Sequence, residues 1–96
     1  MVEAEARIAT NEASRLLTAV ALAWVHTYPV RYDAITAEVA LPGGELVMTA
    51  DGDSLSLRLV GQQGEEFEAA KAAIAKHVDR AAGRDAGVRC VWSQLS

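Results

Sequence analysis

The apolar residues of this chain change their period at Pro29, and that change constrains the fold more than any other feature. Before it, Ala13, Leu16, Leu17, Val20, Ala21, Trp24 and Tyr28 recur every three or four residues, the spacing of one helical face. After it, Val30 and Tyr32, then Ile35, Ala37, Val39 and Leu41, recur every second residue, the spacing of half-buried strands. A chain with both periods, in separate blocks, is an α+β protein rather than a bundle or an all-β barrel.

The first block predicts a helix over about 11–27, with Thr10 and Asn11 as candidate N-caps and Pro29 as its stop. Residues 1–9 read as a short lead-in. Between Tyr32 and Ile35 the alternation slips by one residue, which would reverse every side chain of a regular strand. A short turn at 33–35 between two strands is favoured, and one bulged strand is the alternative.

Pro42-Gly43-Gly44 marks a turn. Leu46, Met48 and Ala50 then alternate up to Asp51-Gly52-Asp53, a tight hairpin connection, and Leu55, Leu57 and Leu59 alternate with Ser54, Ser56 and Arg58. The second helix carries Phe67, Ala70, Ile74, Val78 and Ala81 on one stripe. It has Glu65, Glu66 and Glu68 early and Lys76, His77 and Arg80 late, matching the helix dipole. Gly83 is a natural C-cap, and 88–92 read as a last strand with Val88, Cys90 and Trp92 on one face.

The expected fold is therefore a two-layer α+β sandwich in the order α-β-β-(β)-β-α-β, with both helices on one face of a mainly antiparallel sheet. At 96 residues it reads as a single domain, 1–96. The apolar fraction is 51%, but much of it is alanine, and a core of small side chains buries little area per residue. Such domains often gain stability by dimerising. Leu22 and Ala19, on the side of the first helix away from its core stripe, are the place for a homodimer contact.

Nine basic residues against thirteen acidic ones, a formal charge of −4, disfavour nucleic acid and anionic membrane surfaces as partners. The longest apolar run, Leu16 to Val25, is half the roughly 20 residues a bilayer span needs. The acidic start and the lone Cys90 suit a cytoplasmic protein in a reducing compartment.

No nucleophile elbow, phosphate loop, zinc spacing or complete calcium loop is present. Asp51-Gly52-Asp53 lacks the remaining ligands of an EF-hand, and Cys90 reads as a buried apolar residue. His26 and His77 are the two histidines, and a histidine near a helix end is commonly there to complement the terminal carbonyls. With Arg15 and Arg80 they form the candidate ligand-binding set. No catalytic residue, metal or cofactor is expected.

Three stretches in order carry a family resemblance: Ala6-Arg7-Ile8-Ala9-Thr10, Ala13-Ser14-Arg15-Leu16-Leu17, and Trp24-x-His26-x-Tyr28-Pro29-Val30-x-Tyr32-Asp33. It resumes at His77-Val78-Asp79-Arg80 and from Arg84-Asp85 to Val91-Trp92. The chain resembles the bacterial domain-of-unknown-function family 2218 from about residue 6 to 93. That family has no established activity. It occurs as small free-standing proteins and, in some bacteria, joined to or beside siderophore-interacting flavoproteins.

The resemblance implies a non-catalytic binding or accessory protein linked to iron or siderophore metabolism, with such a flavoprotein as a partner. The alternative is a small metal-binding protein or enzyme using His26 and His77. Many members carry a second histidine three residues before the position of His26, where this chain has Ala23, so the resemblance supplies no two-histidine ligand pair here. A phenylalanine-rich stretch of the family is replaced by Ala81-Ala82-Gly83.

Overall fold

The computed structural model describes residues 1–82 and 92–94. Its elements run β1 (Val2–Ala9), α1 (Ala13–Trp24), β2 (Val30–Tyr32), β3 (Thr36–Leu41), β4 (Gly44–Ala50), β5 (Ser54–Gly61), α2 (Glu65–Ala82) and β6 (Ser93–Gln94). The strands form an antiparallel sheet in the order β2-β3-β4-β5-β1-β6. Both helices cover one face of it, and an α+β two-layer architecture is what the period change at Pro29 predicted.

The largest departure from the sequence reading is at the start. Residues 1–9 are no lead-in but an eight-residue strand lying inside the sheet, paired with β5 along its whole length from Val2↔Gly61 to Ala9↔Ser54. Val2, Ala4, Ala6 and Ile8 turn inward and are buried, while Glu5 and Arg7 point out. The alternation is present in the sequence. Two of its four inward residues are alanines, which carry little apolar area and poor strand propensity, so the pattern is faint.

The slip after Tyr32 is a turn between two strands. β2 pairs with β3 as Val30↔Val39, Arg31↔Glu38 and Tyr32↔Ala37. Asp33 fixes the turn: its Oδ1 accepts the backbone N–H groups of Ile35 and Thr36 at 2.9 and 2.8 Å and the Thr36 hydroxyl at 3.2 Å. These bonds hold the Asp33 carboxyl below its ordinary value, the Ile35 and Thr36 amides contributing most. Ile35 therefore belongs to the turn and is 58% exposed rather than inward with Ala37 and Val39.

Smaller corrections concern ends. α1 stops at Trp24, and the Trp24 carbonyl accepts both Thr27 and Tyr28 N–H groups in a closing turn over residues 25–27. Neither expected N-cap acts as one. Glu12 occupies that position without a side-chain cap, and Thr10 Oγ1 instead accepts the Glu12 N–H at 3.1 Å. The final strand lies at Ser93–Gln94, against Ala4 and Glu5 of β1. Trp92 precedes it, half-buried, with its indole N–H donating to the Lys71 carbonyl at 3.1 Å. Gly83, Val88 and Cys90 lie outside the described residues.

The core is continuous from sheet to helices. Leu46, Leu59 and Ala4 stand in one cross-strand row and Met48, Leu57 and Ala6 in the next. All are buried under Leu16, Leu17 and Val20 of α1 and Phe67, Ile74 and Val78 of α2. Each fully buried large apolar side chain contributes roughly 1.5–3 kcal/mol relative to exposure. The opposite face is polar and laced by ion pairs: Arg58 Nη2 contacts both Glu3 carboxylate oxygens at 2.8 and 2.9 Å, and Arg31 meets Glu38 at 3.1 Å.

Candidate functional site: an apolar cleft between the helices

Trp24 ends the core stripe of α1, and the chain turns there so that Tyr28 follows one turn later. Their rings meet edge to face, 6.5 Å between centroids at 64°. Opposite them, α2 presents Ala69, Ala70 and Ala73, side chains too short to fill the space between the helices. The tip of the β3–β4 hairpin, Leu41-Pro42-Gly43, closes the third side. The result is an apolar cleft of about 210 Å³, with Glu66 as its one charged lining residue among the described residues.

Gly43 explains how the hairpin tip comes so close to α2. A Cβ at Gly43 would run into the backbone carbonyl of Glu66, and a Cβ at Gly61 into the carbonyl of Gly43. Pro42 and Gly43 form a two-residue hairpin loop between the paired Leu41 and Gly44. Gly43 does not have a positive φ, so here glycine is required by contact, not by backbone conformation. Beyond Glu66 the cleft adjoins an open trough of about 630 Å³ along Met1 and Gly61–Gln62–Gln63–Gly64 to Glu65. That trough is larger and its lining more mixed in polarity, and the mainly apolar cleft is the better seat for an apolar group.

None of the four residues singled out from the sequence lines the cleft. His77 comes nearest. One turn beyond Ala73 on α2, its ring stands edge to face on Trp24, 4.6 Å between centroids at 66°. Burial pushes its pKa below the ordinary histidine value, and the charges of Arg80 and Lys76 add to this, so the neutral ring is the form that packs. Arg15 reaches the far end of α2, donating from Nη1 to the Ala81 carbonyl at 3.3 Å and from Nη2 to Glu12 Oε2 at 2.9 Å. Arg80 and His26 are exposed.

No hydrogen bond or ring contact joins His26 to His77, and no group of three potential ligands assembles among the described residues. Cys90, the third member of any such set, lies outside them. The sequence reading passed over Ala69, Ala70 and Ala73 as residues of site interest. Their signal was available in the run of alanines on α2, set against Trp24 at the end of α1 and Tyr28 just beyond it.

Fold and site together define a small α+β domain with an apolar cleft of about 210 Å³ between its helices. The chain belongs to DUF2218, described as an uncharacterised protein conserved in bacteria, whose family model matches residues 5–93. Its architecture is similar to the NMR structure of PA4090 from Pseudomonas aeruginosa. The TM-score is 0.78 at 15% identity, over 97% of this chain and 96% of that one, a likeness of fold. Comparison with curated proteins gives no match. No helix among the described residues is long and apolar enough to cross a membrane.

Proposed function

We propose that this protein is a non-catalytic binding domain whose ligand seat is the cleft between Trp24, Tyr28 and the alanines of α2. The observation that carries the reading is a preformed, mainly apolar concavity with two aromatic walls. An apolar cavity of about 150 Å³ holds one benzene ring, so a cleft of about 210 Å³ has room for a small aromatic group such as benzene or the fused bicycle of indole. His77 supports the site from behind by packing on Trp24 rather than by offering a reactive nitrogen.

Calorimetric titration with indole tests this. Indole, a fused bicycle of nine non-hydrogen atoms, gains about 0.5 kcal/mol per atom in an open cleft, about 4.5 kcal/mol in all, which places the expected Kd at roughly 0.5 mM. Ala73→Leu fills the cleft with a good helix former and is expected to abolish binding while the fold is kept. Indole binding that survives Ala73→Leu unchanged contradicts the assignment.

The iron or siderophore connection rests on the family resemblance and takes a particular form here. Ferric siderophores wrap the metal with several bidentate arms and exceed a cleft of this size, so an iron role would run through a protein partner such as a siderophore-interacting flavoprotein. Titration of such a flavoprotein with this protein decides it, and no complex at micromolar concentrations removes the link. A second copy would dock on the outer face of α1, where Leu22 is 50% exposed. A cytoplasmic location accords with the acidic composition and the lone cysteine.

A further inference from the structure

The cleft's walls specify an apolar ring, and its rim specifies a charge. Glu66 is the one charged residue of the lining, and Glu65 follows it along the trough that continues from the cleft. No Lys, Arg or His side chain lines either cavity among the described residues. The positive end of α2 works against a cation at this rim, but it amounts to about half an elementary charge. Glu65 and Glu66 in the first turn outweigh it, while Glu68 lies outside both linings and is paired with Lys71 at 3.3 Å. The whole chain adds to the same sign with a formal charge of −4.

Resting on the cleft as the ligand seat, we infer that the ligand is a small aryl-alkyl amine. Its ring lies between Trp24, Tyr28 and Ala73, and its ammonium group meets the Glu66 carboxylate where cleft opens into trough. An ammonium also favours the faces of Trp24 and Tyr28 over a carboxylate of the same size, because aromatic faces carry the negative side of the ring quadrupole. Anionic ligands of the same shape meet the Glu66 carboxylate at the rim, offset only by the first backbone N–H groups of α2.

The test compares three probes that share the indole ring system: indole, tryptamine and indole-3-acetate, each titrated calorimetrically at low salt and again at about 0.5 M salt. Tryptamine is expected to bind at least tenfold more tightly than indole-3-acetate, with indole between them. Salt is expected to narrow that spread. Glu66→Gln, an exposed change, is expected to bring the three within about twofold of one another. If indole binds but tryptamine is no tighter than indole-3-acetate, the charge assignment is overturned and the cleft stands. If the preference survives Glu66→Gln, Glu66 is not its source. If none of the three binds, the cleft assignment falls and this inference with it.

Discussion

Gly43 is the residue on which the cleft depends most directly. A methyl group there meets the Glu66 backbone carbonyl, which cannot swing aside as a flexible side chain would. Gly43→Ala is expected to cost about 1–3 kcal/mol, the range of overpacked sites, read as a lower urea midpoint at unchanged m-value. Ser54 makes the opposite case. Ser54 is 3% exposed and its hydroxyl has no hydrogen-bond partner among the described residues, so Ser54→Ala removes a desolvated group and is expected to leave stability unchanged or raise it.

His77 sets a pH dependence whose sign follows from its packing. Its folded-state pKa is depressed, chiefly by burial, so the unfolded chain takes up the proton first as pH falls. Stability from this group is complete above the unfolded value of about 6.5 and is lost as pH falls from there through the folded value. Denaturation midpoints between pH 8 and 5 are expected to drop for the native protein and to lose part of that slope in His77→Phe. A rising midpoint over the same interval would contradict the packing role.

Among the elements, β1 separates what the sequence displays from what it hides. Leu55, Leu57 and Leu59 declare β5 through bulk, while Ala4 and Ala6 do the same geometric work with little apolar area, so β1 read as a lead-in. The two readings differ in consequence. Deleting residues 1–8 would trim a lead-in harmlessly. Here it leaves β5 unpaired on one side and uncovers the core, so loss of the cooperative urea transition is expected. The turn at 33–35 was legible because a phase slip has few physical solutions, and Asp33 supplies the one adopted. The helices were legible to within a turn, since their stripes carry Leu16, Leu17, Val20 and Trp24 in one and Phe67, Ile74 and Val78 in the other.

The cleft was not legible, for a physical reason: it is a space left by short side chains where three distant segments converge. Periodicity reports the side chains that fill a core and says little about voids. The histidines drew attention for their chemistry, yet His77 is used as a packing surface and His26 stands exposed beyond α1.

At the scale of the whole molecule, the two faces divide the work. The outer face of the sheet spends its charges on cross-strand ion pairs at Arg58–Glu3 and Arg31–Glu38, exposed contacts that salt screens. The helical side carries the cleft and Leu22. If a second copy covers α1, light scattering at micromolar concentration gives twice the chain mass and Leu22→Lys halves it. A monomer in both removes the dimer.

The central claim is that a ring-sized ligand sits against Trp24. Trp92 is a built-in control, since its indole N–H is tied to the Lys71 carbonyl and it does not line the cleft. In a nitrogen-15 NMR titration with indole, the side-chain N–H signal of Trp24 is predicted to shift and saturate while that of Trp92 stays in place. A Trp24 signal that does not move, or that moves no more than that of Trp92, would contradict the account.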